Sequence, residues 1–167
     1  MVESSPELEA EYTTPAWYAE TRTAFLSTPQ KTIADQLAGR ALSERLDVEP
    51  AQGEEWLRSV GLLQEHIDER LDIVRRALTG PGCEAVGHVI LEFDFRRRGL
   101  RMDCLLLAEG VLFVVEFKRT RIERADRDQV MNYAVNLLEF HKVTQSWCGR
   151  DQAMVVPVLA LTEGRAP

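Results

Sequence analysis

An α/β domain with a mixed central sheet of about four strands flanked by helices is predicted by three observations. Apolar residues recur at three- and four-residue steps through the first half of the chain. Near residue 88 the pattern changes to period two and stays there through three short runs. One more helical stretch then separates those runs from a last apolar segment, so the order is helix, three strands, helix, strand. At 167 residues this is one domain with room for a real core.

Residues 1–15 are acidic and polar, with Pro6 and Pro15, and read as disordered. A helical extension is expected over 16–50, with helices at about Trp17–Ser27 and Thr32–Arg45, followed by a core over 51–163. A break around Pro50 leads into a long helix over about 54–78, where Trp56, Leu57, Val60, Leu63, Ile67, Leu71, Val74 and Leu78 form one stripe. The segment TGPG at 79–82 stops it. In HVILEFDFR, alternation puts Val89, Leu91, Phe93 and Phe95 on one face, with Ile90, Glu92 and Asp94 on the other. RRRG (96–99) and AEG (108–110) are hairpin connections around strands at 101–107 and 111–118. A helix over 126–142 presents Val130, Ala134, Leu137, Leu138 and His141 inward, and Asp126 is a candidate N-cap. MVVPVLAL (154–161) is a last strand, and Pro157 makes it an edge or bulged one. The stop shortly after it reads as a fragment of something longer.

The bulk numbers exclude several classes. No apolar run approaches the roughly 20 residues of a membrane helix. MVESSPELEAEY has neither the basic nor the apolar region of a signal peptide, and Cys83, Cys104 and Cys148 form no disulfide framework, so a cytoplasmic protein with no membrane partner is expected. His66, His88 and His141 have no zinc spacing with any cysteine, and no phosphate-binding G-x-x-x-x-G-K-[ST] loop is present. The net charge of −7 argues against a generic nucleic-acid surface, but it is uneven. Residues 1–85 carry 16 acidic and 8 basic side chains, whereas 96–127 carry 9 basic and 5 acidic. Such a local patch is what a phosphate backbone would meet.

Inside that patch, RMDCLLLAEGVLFVVEFK (101–118) places Asp103, Glu116 and Lys118 in strands that otherwise read as buried. Glu116 and Lys118 share a face, and if the register cooperates Asp103 joins them across the hairpin. Two close carboxylates repel unless a cation lies between them. Mg²⁺ or Mn²⁺ accepts one or two carboxylates plus waters and phosphate oxygens, and a neighbouring lysine stabilises charge on the phosphate. That is chemistry for hydrolysing phosphodiesters. Glu-x-Lys alone is a weak signal, but the chain has only three lysines, and charges in an apolar strand need a reason. The competing reading places Glu116 and Lys118 at an exposed strand end.

The element order, with Asp103 on the second strand, Glu116-x-Lys118 on the third and Gln129-x-x-x-Tyr133 on the following helix, resembles the PD-(D/E)XK nuclease superfamily. PAWYAETRTAFL (15–26), VEPAQGEEW (48–56), VVEFK (114–118), DQVMNYAVNLLEFH (128–141) and VVPVLALTE (155–163) are similar to the N-terminal domain of bacterial proteins that carry a Schlafen-like DNA/RNA helicase region. The resemblance implies an αβββαβ restriction-endonuclease-like core. It implies that Asp103, Glu116 and the backbone carbonyl of Phe117 bind Mg²⁺ or Mn²⁺, with Glu92 as a further ligand, and that Lys118 assists the attacking water. Gln129 and Tyr133 would contact nucleic acid or support the site, and Gln52 and Glu55 would add polar groups from the long helix. Arg96, Arg97, Arg98, Arg101, Arg119 and Arg121 would hold phosphates of DNA or RNA. A helicase domain or protein is the implied partner, and dimers occur in the superfamily. The alternatives are a non-catalytic nucleic-acid-binding or docking module on the same fold, and a plain interaction domain.

Overall fold

The computed structural model describes residues 15–67, 86–108, 110–151 and 153–163. Strand β1 (Ala16–Thr21) leads into α1 (Arg22–Ser27), α2 (Gln30–Ser43) and α3 (Pro50–His66). Then come β2 (His88–Phe95), a 3₁₀ turn (Arg96–Arg98), β3 (Leu100–Ala108), β4 (Val111–Lys118), α4 (Arg124–Phe140), α5 (Lys142–Asp151) and β5 (Met154–Leu161). The five strands lie in sequence order, β1-β2-β3-β4-β5; the first three pairings are antiparallel and β4–β5 is parallel. This is a mixed α+β sheet with five strands rather than four. The additional strand is β1, where a helix was expected from Trp17. It pairs with β2 from Ala16↔Phe93 to Thr21↔His88, and the helix begins only at Arg22, capped by Thr21.

Both faces of the sheet are covered, which explains the nearly continuous apolar strands. On one face Val89, Leu91, Cys104, Leu106, Val111, Phe113 and Val115 pack against Phe25, Ile33, Leu37, Trp56 and Val60 of α1–α3. On the other, Leu105, Leu112 and Val114 pack against Val130, Tyr133, Ala134 and Leu137 of α4. Helical spacing predicts these buried stripes: 33, 34, 37 and 41 on α2; 56, 60 and 63 on α3; 130, 133, 134 and 137 on α4. Leu138, expected inside, is 39% exposed; the inward stripe falls on Leu137 instead. Pro50 starts α3 at a position where its missing N–H costs nothing. The expected continuation of that helix to residue 78, and the stop at 79–82, lie outside the described residues. So do residues 1–14 of the expected disordered segment. Edge placement of β5 accommodates Pro157, as expected.

Two departures shape the site. Glu92 has φ of 49°, a conformation uncommon for a side chain other than glycine. The ladder between β2 and β3 passes from Leu91↔Cys104 to Phe93↔Met102 without pairing Glu92 to Asp103. Beyond that point the faces exchange: Phe93, Phe95 and Met102 join the α4-side cluster, whereas Leu91 and Cys104 belong to the other. The strict alternation expected for 88–96 therefore holds only as far as Leu91. The second departure is that β3–β4 pairing ends at Cys104↔Val115, while β4 continues beside β5 to Lys118↔Leu161. The sheet forks there, with Asp103 on one prong and Glu116–Lys118 on the other.

Candidate metal centre at the strand fork

Where strands part, backbone groups lose partners and something must replace them. The Phe117 N–H finds the Asp103 carboxylate at 2.9 Å. On the β5 side the carbonyls of Lys118 and Arg119 accept from the N–H groups of Thr162 (2.8 Å) and Glu163 (2.7 Å), so this prong stays anchored. Asp103 and Glu116 lie one residue beyond the last β3–β4 pair, Cys104↔Val115, and their carboxyls meet there, a meeting the sequence left dependent on the register.

The electrostatics are costly. Burial, and then the neighbouring Glu116 charge, push the Asp103 pKa up to about 8; the Phe117 N–H pulls the other way. The two carboxyls are close enough to share a proton. Glu116 is 4% exposed, and its Oε2 is a buried acceptor with no hydrogen-bond donor among the described residues. Its Oε1 accepts from Lys118 Nζ at 3.0 Å. Lys118 Nζ also donates to Gln129 Oε1 at 3.2 Å and pairs with Asp126 Oδ1 at 3.2 Å. Burial works against the ammonium, but Glu116 and then Asp126 outweigh it, and its pKa is raised. Lys118 is therefore a charge and a donor at neutral pH, not a base. Gln129 Nε2 donates in turn to the Tyr133 hydroxyl at 2.7 Å, so the Q-x-x-x-Y pair forms one chain ending on the lysine.

Glu92 is 5% exposed. Its Oε1 accepts from the Trp56 indole at 2.8 Å, and its Oε2 pairs with Arg101 Nε at 2.9 Å. Burial raises its pKa despite both partners. An open pocket of about 80 Å³ faces the α3 side, lined by Gln52, Glu55, Trp56, Ser59, Glu92, Asp103, Phe117, Lys118, Arg119 and Thr162 among others. At roughly 10–15 Å³ per water position, that is space for about five to eight waters or ligand oxygens. Gln52 and Glu55, expected to add polar groups from the long helix, stand in the wall of this pocket.

The arginines divide. Arg96 pairs with Asp94 and Glu44, Arg101 with Glu92, Arg119 with Glu163 and Arg121 with Glu123. Arg98 rests on Asn136 and Phe140, and Arg97 is exposed. Asp126 is not the N-cap expected of it. Glu123 holds that position, and Asp126, at the third residue of α4, accepts the Glu123 N–H at 2.7 Å. Its contact with Lys118 was not read from the sequence, although Asp126, in the first turn of α4, follows the strand-ending Lys118 by only eight residues. His141 packs edge-on against Phe93 and Phe95 at 5.8 Å, and burial lowers its pKa.

Whether a divalent cation fits can be judged from the donors. Asp103, Glu116 and the backbone at Phe117 are hard oxygen donors, and two carboxyls so crowded that one retains its proton are the arrangement a cation would relieve. Among the described residues no group of three or more His, Cys, Asp and Glu side chains could hold a metal ion. Two carboxylates are a usual number for Mg²⁺, which keeps most of its waters.

No protein-family model, no curated protein and no solved structure matches this chain. Among the described residues no helix is long and apolar enough to cross a membrane.

Proposed function

We propose that this domain is a Mg²⁺- or Mn²⁺-dependent nuclease hydrolysing phosphodiester bonds of DNA, with RNA as the other substrate class. The observation that carries the reading is the forked pair: a half-buried Asp103 crowded against the buried Glu116, with a triply held lysine next to them. Asp103, Glu116 and the Phe117 backbone would hold the cation. Bound there, the cation would acidify a water and polarise the phosphate. Lys118 would offer its protons to charge growing on the phosphate; its two 3.2 Å bonds, to Asp126 and Gln129, are the ones a phosphate oxygen would replace. Gln129 and Tyr133 keep the ammonium aimed at the fork, and Arg119 stands on the pocket rim. The sequence resemblance adds that such a domain works beside a helicase in defence or repair.

The test is cleavage of labelled single- and double-stranded DNA and RNA with Mg²⁺, Mn²⁺ or EDTA, wild type against Lys118→Ala. Loss of one preorganised donor is worth about 10²–10³ in rate, so the variant should lose at least about a hundredfold while keeping its fold. Absence of metal-dependent cutting by the wild type on every substrate would refute the reading. The second reading, a non-catalytic nucleic-acid-binding module, draws on the lack of a third side-chain ligand among the described residues. It requires salt-sensitive binding that Asp103→Ala leaves unchanged.

A further inference from the structure

Arg98 is held differently from the arginines that form ion pairs. Its Nε donates to Asn136 Oδ1 at 2.8 Å, and its guanidinium carbon lies 4.2 Å from the centre of the Phe140 ring. Both partners are neutral, and among the described residues no carboxylate pairs with it. Among the described residues its charge has no carboxylate partner, unlike those of Arg96, Arg101, Arg119 and Arg121.

The support is also more elaborate than a surface arginine needs. Asn136 is only 4% exposed, and its amide donates to the Asn132 carbonyl at 2.8 Å and to Asn132 Oδ1 at 3.0 Å. A buried amide costs free energy unless bonded, and an apolar residue there would pack without that requirement. Phe140, at the end of α4, is 49% exposed. Together the two fix the guanidinium plane, and its terminal N–H groups meet no carboxylate among the described residues. That is a preorganised fork for a phosphate.

Its distance from the strand fork can be measured along two elements. Arg98 precedes Asp103 by five residues, and with the turn at Arg98–Gly99 the chain spans at most roughly 16 Å at about 3.3 Å per residue. On α4, Gln129, Tyr133, Asn136 and Phe140 recur at four- and three-residue steps, so one helical stripe runs from Lys118 to Arg98. The eleven residues from Gln129 to Phe140, at 1.5 Å each, again give roughly 16 Å. A duplex strand carries one phosphate per about 3.4 Å of axis, so this spans about five phosphates.

We propose that Arg98, set by Asn136 and Phe140, is a second phosphate-binding point that grips the nucleic-acid backbone about five phosphates from the Asp103–Glu116 site. The proposal rests on the nucleic-acid reading of that site and adds where the strand is held away from the cut.

The experiment measures binding of labelled DNA and RNA oligonucleotides, single- and double-stranded, over a range of lengths and salt concentrations. It uses the full chain in EDTA, so that nothing is cut, and compares wild type, Arg98→Ala and Arg98→Lys. On oligonucleotides of about 30 units, Arg98→Ala should bind roughly tenfold more weakly, and its slope against log salt should fall by about 0.9 on duplex and about 0.7 on single strands, one phosphate's worth. Oligonucleotides shorter than about five phosphates should bind wild type and variant alike. Arg98→Lys should restore the salt slope but not the full affinity, because the charge returns without the fork. Equal affinity and slope on long substrates, or a loss that is the same at every length, would overturn the proposal, as would no binding by the wild type. Cleavage by wild type with Arg98-independent binding overturns this inference alone. Arg98-dependent binding without cleavage supports it and removes only the catalytic reading.

Discussion

Replacing Asp103 by asparagine should stabilise the metal-free protein at neutral pH while abolishing any metal-dependent activity. In the native state burial and Glu116 hold the Asp103 pKa near 8, against an ordinary value of 3.8. Between those two values the native protein retains a proton that the unfolded chain has released, so wild-type stability falls as pH rises through the window. Each pH unit corresponds to about 1.36 kcal/mol, and the three units up to pH 7 set an upper bound of about 4 kcal/mol. Because the proton belongs partly to the pair, about 2–4 kcal/mol is the working range. Asparagine is nearly the same shape. Its oxygen can still accept the Phe117 N–H, and its amide can donate to the unpartnered Glu116 Oε2. At about 2–4 °C per kcal/mol for a chain of this size, Tm should rise roughly 5–15 °C at pH 7–8 in EDTA. The two proteins should converge near pH 4. Millimolar Mg²⁺ should raise the Tm of the wild type and leave the variant unchanged. The assay is thermal unfolding followed by circular dichroism from pH 4 to 9. A variant no more stable than wild type at pH 8 would show that the carboxyls are not in conflict, and the argument for a cation would lose its basis.

Other perturbations test the frame around the site. Trp56→Phe deprives Glu92 Oε1 of its donor and should cost about 1–3 kcal/mol in urea unfolding, with Arg101 still in place. Leu106→Ala, at a fully buried position of the α1–α3-side cluster, should cost about 2–5 kcal/mol by the same measurement. Gly99→Ala meets no neighbouring atom within 4 Å but must adopt φ of 62° at the end of the 3₁₀ turn, so it should cost about 1–2 kcal/mol through backbone strain alone.

Much of this was legible in the sequence, for reasons that can be named. Strands β2 to β5 were legible because turn residues bound them and strand-length apolar runs fill them. A meeting of Asp103 with Glu116 was one of the outcomes a hairpin allowed, and only the register decides it. Strand β1 was not legible. Only Tyr18 of its six residues is buried, and its extended form comes from pairing with β2, a tertiary fact that the helix-like run TRTAFL obscured. Helix α5 was missed because Lys142–Asp151 lacks a clear apolar stripe; it leans on neighbours through Thr144 and Trp147. No pattern rule anticipates a face reversal at Glu92, since that needs a positive φ at a residue that rarely adopts one. The partners of Lys118 and Arg98 on α4 depend on where the helix docks, and spacing within the helix does not determine that.

The features that local rules would reject fall in one place. Glu92 adopts a backbone conformation that costs on the order of 1–3 kcal/mol. The β2–β3 ladder breaks where Glu92 faces Asp103, and the β3–β4 ladder ends one residue further on. Two carboxyls, Glu116 buried and Asp103 half-buried, are crowded together. Each feature lowers stability, and an apolar pair at 103 and 116 would remove the charge conflict and allow the strands to continue pairing. A chain that is locally consistent along its other core strands, yet concentrates its exceptions around one open pocket, is organised there for something other than stability. The exceptions also share a direction: they crowd oxygen atoms at the fork, next to an ammonium kept charged by Glu116 and by Asp126 of α4. On the nuclease reading proposed above, the hard oxygens would serve the metal and the fixed ammonium the phosphate, so that each half of the arrangement would have its own ligand.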